Sequence, residues 1–585
     1  MDIMTEQTCI AVWAPRPERV DLITESEDGQ RSTHPMRRDG QWWRSDVPAT
    51  PGLRYGFQID GDIIAPDPRT QALPDGPHGL GQVIDQDFPW TDEQWTGRAF
   101  PGTILYEAHV GTMSPEGTFD GLISKLDHLV SLGVNALELM PIQPFGGTRN
   151  WGYDGVSWHA VHEGYGGPDG LRRLVDAAHG KGLAVYLDVV YNHFGPDGNY
   201  TGLFGPYTSE GSATGWGEVV NISGPDSDEV RSYICDAVRQ WLEVYHIDGL
   251  RLDAVHAYDD TGAYSIMEDI EAVAEEVGAR TGVPRSIVAE SDLNDPRLIT
   301  SAEAGGYGLA AQWTDDIHHA LHTLVSGEQH AYYEDFGSLE HLLLTLRSAY
   351  RFQRSYSAFR RRIHGRPVDI RRIPAHRFVT YTTTHDQTGN RARGDRPSMN
   401  LSPAQQVLKA AVILSSPFTP MLFMGEEFGA QTPFPFFCSH TDEELNRLTR
   451  EGRYREFARS GWDESTVPDP SAEDTFRSAV LDWSWDSEQQ SIHDAYRTLL
   501  HLRGKLQLAR PWLTEFDVDG GDDHHRWVSF GYEDVRLIAN LSDSPIEVPY
   551  GGHLAYTFTS PEVREENTTL DAWGFALLTE PRRAA

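Results

Sequence analysis

Asp188, Asp253, Glu290 and Asp386 each fall at or near the end of a short apolar run, and Arg251, His193 and His385 lie beside them. Two carboxyl groups on opposite sides of a glycosidic oxygen can cleave it, one protonating the leaving group while the other attacks the sugar carbon or activates water. A third carboxylate can bind hydroxyls and favour a distorted ring. One acidic residue beside a strand is more often a helix cap or an ion-pair partner, so the argument rests on the set. Because its members run from position 188 to 386, the chemistry needs a scaffold that gathers distant strand ends on one face.

The apolar runs supply such a scaffold. TILYEAHVG (103–111), VNALELMPI (134–142), LAVYLDVV (183–190), GLRLDAV (249–255), SIVAES (286–291), LAAQWTDD (309–316), HRFVTYTTTHD (376–386) and MLFMGEEF (421–428) read as buried parallel strands. Segments 119–133, 170–182 and 228–245 between them carry apolar residues at helical spacing. Asp226 and Glu229 have capping-box spacing ahead of the last, and Gly133 and Gly182 stand where helices would stop. Eight strand–helix units predict a closed (β/α)8 TIM barrel. An open doubly wound sheet is the alternative, but no GxGxxG follows the first strand. Long inserts at 191–226 and about 317–375 follow strands, where they would build a cleft on the catalytic face. A helix at about 490–507 would close the barrel region.

The flanks change character. Residues 1–95 read as an N-terminal β-sandwich, with the turn dipeptide Asp60-Gly61 inside an alternating run and a Pro/Gly-rich linker at 66–79. Segments 524–532, 535–542, 546–550 and 573–580 predict a C-terminal antiparallel β-sandwich. The expected domains are therefore 1–95, 96–500 and 501–585.

The chain has 585 residues and a net charge of −38, which disfavours nucleic acid and anionic membranes as partners. Cys9, Cys235 and Cys438 form no CxxC pair, the start lacks a signal-peptide pattern, and no 18-residue apolar run occurs, so a cytoplasmic, non-membrane protein is expected. Sixteen tryptophans offer flat surfaces for a ligand such as a sugar, although most aromatics in any chain are core.

DVVYNH (188–193), GLRLDAVH (249–256), VAES (288–291) and TTHDQ (383–387) resemble, in order and spacing, the four signature regions of the α-amylase superfamily of glycoside hydrolases, over about residues 100–490. The resemblance implies a retaining mechanism with Asp253 as nucleophile, Glu290 as general acid/base and Asp386 as transition-state stabiliser. It implies that Arg251 keeps Asp253 ionised and aligned, that His193 and His385 donate to sugar hydroxyls, and that Asp188 is structural within the site. LYEAHVGTMSPEGTFDG (105–121), WGYDGV (151–156), the stretch 165–200, WGEVVN (216–221), LVSGEQHAYYEDFG (324–337) and GWDESTVPDPSAEDTF (461–476) look more narrowly like the maltooligosyltrehalose trehalohydrolases, over nearly the whole chain. That family has an N-terminal, carbohydrate-binding-module-like β-sandwich of immunoglobulin type. Its implied substrate is maltooligosyltrehalose or a related α-glucan, with a maltooligosyltrehalose synthase as pathway partner.

Tyr153 is expected beneath the sugar on the nonreducing side of the cut, and Trp216 is a second candidate sugar contact; packing roles are the alternative for both. The segment 157–167 departs from the family pattern at His162-Glu163. His159 and His162 lack a compatible third ligand, and Asn192, where calcium-dependent relatives place a ligand, has no oxygen cluster around it, so neither a metal nor another cofactor is expected. Within the superfamily a glycogen branching or debranching enzyme is the other reading; from another class, an inactive glycan-binding protein.

Overall fold

Parallel strands buried on both faces close on themselves in the computed structural model, which describes residues 9–214, 217–459 and 466–583. In chain order the barrel strands are Leu105–Ala108, Ala136–Leu139, Ala184–Val189, Gly249–Leu252, Ser286–Ala289, Ala311–Trp313, Phe378–Tyr381 and Thr419–Phe423, with the eighth pairing with the first. The first seven lie within seven of the eight apolar runs and the eighth starts two residues ahead of its run, and the strand residues are buried throughout. The closed barrel, not an open sheet, is the architecture.

The stretch between the N-terminal sheets and the first barrel strand plugs the base of the barrel. Phe100 and Trp95 pack with inward side chains such as Leu105, Tyr186, Val288 and Met421. Trp95 Nε1 donates to Asp248 Oδ1 at 2.8 Å, and its ring stacks on His179 at 4.6 Å. His179 lies between Asp92 Oδ2 (2.8 Å) and Asp248 Oδ2 (2.9 Å), so this stretch, the helix Gly167–Gly180 and the entry to the fourth strand form one buried cluster.

Gly133 ends Leu126–Leu132 with φ 105°, as the spacing predicted. The cap expected for Ser227–Glu243 does not form. Asp226 holds φ 59° and caps nothing with its side chain; its Oδ1 accepts from Gln41 Nε2 at 3.0 Å, and Glu229 Oε1 accepts from Trp42 Nε1 at 3.5 Å. Both carboxylates are drawn off by the N-terminal sheets, a contact that local spacing cannot reveal. The helix expected at 490–507 spans Ser487–Lys505, and its Arg503 donates to the carbonyls of Leu414, Ser416 and Phe418 in the barrel.

Two antiparallel sheets precede the barrel, one of Cys9–Trp13, Trp42–Pro48 and Arg37–Asp39, the other built around Val20–Glu25 and Arg54–Ile59. Asp60 (φ 50°) and Gly61 (φ 78°) make the left-handed turn between Arg54–Ile59 and Ile63–Ala65. Two further sheets lie beyond it, five strands within 517–583 and a smaller one at Ile546–Val548, Thr568–Leu570 and Glu562–Val563. Among the described residues no helix is long and apolar enough to cross a membrane.

Candidate active site

Parallel register brings the first two charges together. Asp188 and Arg251 are direct neighbours on strands three and four, and Arg251 Nη1 donates to Asp188 Oδ2 at 2.6 Å inside the barrel mouth. The same nitrogen donates to Asp253 Oδ1 at 2.8 Å, just past the end of its own strand, and Nη2 stands 3.3 Å from Glu290 Oε2. One fully buried guanidinium thus touches three carboxylates, with Trp313 4.2 Å beneath it as an apolar floor. Its proton affinity is raised: burial opposes the charge, but Asp188 and the other anions overcome that cost.

Asp253 is held from the other side as well. Asn192 Nδ2 donates to its Oδ2 at 2.7 Å and to its carbonyl at 2.9 Å. Asn192 here orients a carboxylate, and no cluster of potential metal ligands occurs among the described residues. Glu290, directly after strand five, accepts from the N–H of Ala254 at 2.6 Å; Ala254 itself is held at φ 42°, a left-handed geometry that aims this N–H. Burial pushes the Glu290 carboxyl up to about 8, Arg251 pulling it down and Asp253 and Asp386 adding to the rise. It is therefore a proton donor near neutrality. Asp188 is also raised by burial, to about 6, against the pull of Arg251.

The fourth carboxylate comes from the start of helix His385–Gly389, whose capping box of Thr384 and Gln387 sets the turn after strand seven. Asp386 is 42% exposed at the mouth, while His385 beside it is buried. His385 Nδ1 lies 2.5 Å from Glu107 Oε1 and its Nε2 2.9 Å from the Tyr153 hydroxyl. Burial alone would lower the His385 pKa, but Glu107 and then Asp386 raise it to about 9, so the ring is cationic. Tyr153 donates to Asp188 Oδ2 at 2.7 Å and stacks on His385 at 5.1 Å, tying the loop after strand two into the floor.

Asp188, Tyr153, Arg251, Asp253, Glu290, His385 and Asp386 thus surround one cleft. His193 is placed differently from its expected hydroxyl-donating role: it is buried, with Nε2 3.0 Å from the Tyr153 carbonyl and Nδ1 against Asn192 Oδ1. Trp216 lies outside the described residues. His159 and His162 go into separate packing contacts, on Tyr233 at 4.7 Å and on Phe145 at 4.0 Å. Glu107 and Trp313 were not singled out; a charged residue inside the apolar run LYEA was the available signal for the first.

Residues 82–202 match a model described as the α-amylase catalytic domain, residues 2–69 carbohydrate-binding module 48 (isoamylase N-terminal domain), and residues 511–577 a domain of unknown function, DUF3459. The malto-oligosyltrehalose trehalohydrolase of Mycobacterium tuberculosis is 48% identical over 97% of this chain and 98% of its own length, and that of Saccharolobus solfataricus 38% identical over 97% of each. A Salmonella typhimurium crystal structure, provisionally described as an α-amylase, superposes with a TM-score of 0.88 at 33% identity over 99% of this chain and 97% of that one. A Paenibacillus barengoltzii pullulanase shares the fold at TM-score 0.72 and 18% identity, covering 98% of this chain and 94% of its own.

Proposed function

The chain belongs to the malto-oligosyltrehalose trehalohydrolase family of the α-amylase superfamily, and from that membership and the cleft we propose how it acts. It hydrolyses the α-1,4 bond next to the terminal trehalose of maltooligosyltrehalose, releasing trehalose and a maltooligosaccharide. Likeness to several such enzymes over nearly the full chain carries the choice within the superfamily, where a branching enzyme from Nocardia farcinica is 29% identical over 72% of this chain and 58% of its own.

In our reading Asp253 is the nucleophile and Glu290 the acid/base. The supporting observation is that one guanidinium reaches both carboxyls. A guanidinium's width between them suits a retaining pair, at ~5 Å, better than an inverting pair at ~6.5–9.5 Å with water between. Glu290 gives its proton to the glycosidic oxygen as Asp253 attacks the anomeric carbon, forming a covalent β-glycosyl ester. Glu290, now a carboxylate, takes a proton from water as the water displaces Asp253, and the α configuration returns. Asp386 faces the positive charge that develops on the ring. Both ring nitrogens of His385 are taken, by Glu107 and by the Tyr153 hydroxyl, so His385 acts by fixing Tyr153 rather than by donating to sugar hydroxyls. Tyr153 presents its ring to the sugar while its hydroxyl fastens Asp188 and His385. His193, bound to the Tyr153 carbonyl, acts by holding that loop. The proposed pathway partner is a maltooligosyltrehalose synthase, which would supply the substrate.

The test compares initial rates on maltotriosyltrehalose and maltopentaose, which have equal numbers of glucose units. Trehalose release from the first should far outpace cleavage of the second. Equal or reversed rates would turn the assignment to a general amylase, and α-1,6 activity to a branching or debranching enzyme.

A further inference from the structure

Among the described residues the Asp386 carboxylate receives one hydrogen bond, from Asn390 Nδ2 to its Oδ1 at 3.2 Å, while His385 Nε2 stands 3.5 Å from the same oxygen. Asn390 directly follows the helix His385–Gly389 and is exposed. The two ends of its amide differ, one donating and the other accepting, and an exposed amide has no fixed direction of its own.

Arg453 supplies that direction. Its Nη1 lies 3.5 Å from Asn390 Oδ1, and its Nη2 donates to the Gly389 carbonyl at 3.0 Å. A guanidinium has donors only, so the amide oxygen turns toward it and the NH2 end is left for Asp386. The arginine is itself clamped. Its guanidinium carbon lies 5.1 Å from the ring centre of Phe436 and 4.9 Å from that of Phe457, Glu456 Oε2 accepts from Nη1 at 3.1 Å, and the side chain is only 15% exposed. Phe436 meets Trp151 edge-on at 5.2 Å, and Trp151 meets His385 edge-on at 5.6 Å, so clamp and cleft share one aromatic wall.

Arg453 comes from the 17-residue helix Glu443–Arg459, beyond the eighth strand. Among the described side chains of that helix only Phe457 is buried, which is little core for an element of this length. Resting on the reading of Asp386 as the carboxylate that faces the developing charge, we propose that Arg453 is a positioning residue for the reaction, holding Asp386 toward the attacked ring through Asn390 and the Gly389 carbonyl. Asp386 meets its full opposite charge only in the transition state, so its misplacement costs turnover rather than binding. The attacked ring is a glucose whatever departs from it, so the cost does not depend on the leaving sugar.

Arg453→Met, Arg453→Lys, Asn390→Ala and the double variant Arg453→Met/Asn390→Ala are to be assayed across pH on maltotriosyltrehalose and maltopentaose, with Asp386→Asn as reference. Arg453→Met should lower kcat on the order of 10- to 100-fold on both substrates with KM little changed. Asn390→Ala should cost less, and the double variant no more than Arg453→Met alone, because both act on one carboxylate. Burial raises the Asp386 carboxyl, His385 and Arg251 pull it down, and Asp253 and Asp315 push it up; Glu290 also faces it, and Arg453 adds a cation. Losing that cation removes a downward pull, so the acid limb of kcat/KM should move up by about half a pH unit in Arg453→Met and stay in place in Arg453→Lys. An unimpaired kcat in Arg453→Met, or a loss confined to KM, would overturn the proposal. So would Met and Lys variants of equal kcat with an unmoved acid limb, which would reduce Arg453 to packing. If Asp386→Asn keeps its activity, the reading of Asp386 fails and this one with it; if that variant is dead while Arg453→Met is unimpaired, only the positioning role fails.

Discussion

At the scale of single residues, the proton on Glu290 is the quantity most open to measurement. Burial holds its pKa up to about 8, so the acid is charged with its proton at neutrality and loses it as pH rises through that value. With maltotriosyltrehalose, kcat/KM should therefore fall on the alkaline side near pH 8, and Glu290→Gln should lower kcat by roughly 10²–10⁴-fold. A profile flat to pH 10, or a Gln variant of ordinary activity, would remove Glu290 from the acid role. Asp253, Glu290 and Asp386 were readable from the sequence because each closes a strand-like run in a recognisable segment. Glu107 was not, because its importance lies in a bond to His385 across 278 positions of chain, which only the closed barrel creates. Asn192 and His193 show the converse limit. Their positions were legible, yet their partners, the Asp253 carboxylate and the Tyr153 carbonyl, depend on side-chain directions that spacing does not encode.

Among elements, strands were the most legible. A short, mostly apolar run has few uses besides a parallel strand covered on both faces, and a strand contains or overlaps each of the eight runs' apolar stretches. The reading failed where an element's end is set by a distant partner, as when Gln41 and Trp42 take Asp226 and Glu229 from the helix they precede. The plug under the barrel is another long-range construction, and it yields a pH-dependent prediction. Burial alone would make His179 less basic, but its bonds to Asp248 and Asp92 raise its pKa. For Asp92, burial acts upward and is outweighed by His179 and His246, so its pKa is lowered. A raised histidine contributes stability that is fully present below its unfolded value, about 6.5, and lost as pH rises through the folded value; a lowered aspartate contributes above about 3.9 and loses it toward acid. His179→Ala should accordingly cost on the order of 3 kcal/mol, because it strands buried carboxylates. The loss, measured by denaturant unfolding, should be greatest between about pH 4 and 6.5 and shrink at alkaline pH. A cost that is constant from pH 5 to 9 would mean that the cluster is held by packing alone.

For the whole molecule, the question is why a β-sandwich precedes the barrel. Its match to a carbohydrate-binding module points outward to glycan, but its most specific contacts point inward to the first insert. Trp13 packs edge-on to Tyr207 at 5.2 Å, and the Arg16 N–H donates to the Phe204 carbonyl at 3.1 Å. Gly205 passes so close to Trp13 that a Cβ there would lie 2.7 Å from the indole, so any larger residue would force them apart. The same insert opens with Asn192 and His193, which hold Asp253 and the Tyr153 loop. Packing in the N-terminal sheet is thus joined, through one stretch of chain, to the geometry of the cleft. Trp13→Ala should lower stability by about 3–5 kcal/mol, as loss of a buried indole does. It should also raise KM for maltotriosyltrehalose more than it lowers kcat, because a looser insert first disturbs the sugar-binding loop. Limited proteolysis should find new cleavage between 201 and 209. A variant that melts earlier yet keeps its KM and its resistance to protease would show that the sandwich stabilises the chain without bracing the cleft, and glycan binding would then be the better account of its presence.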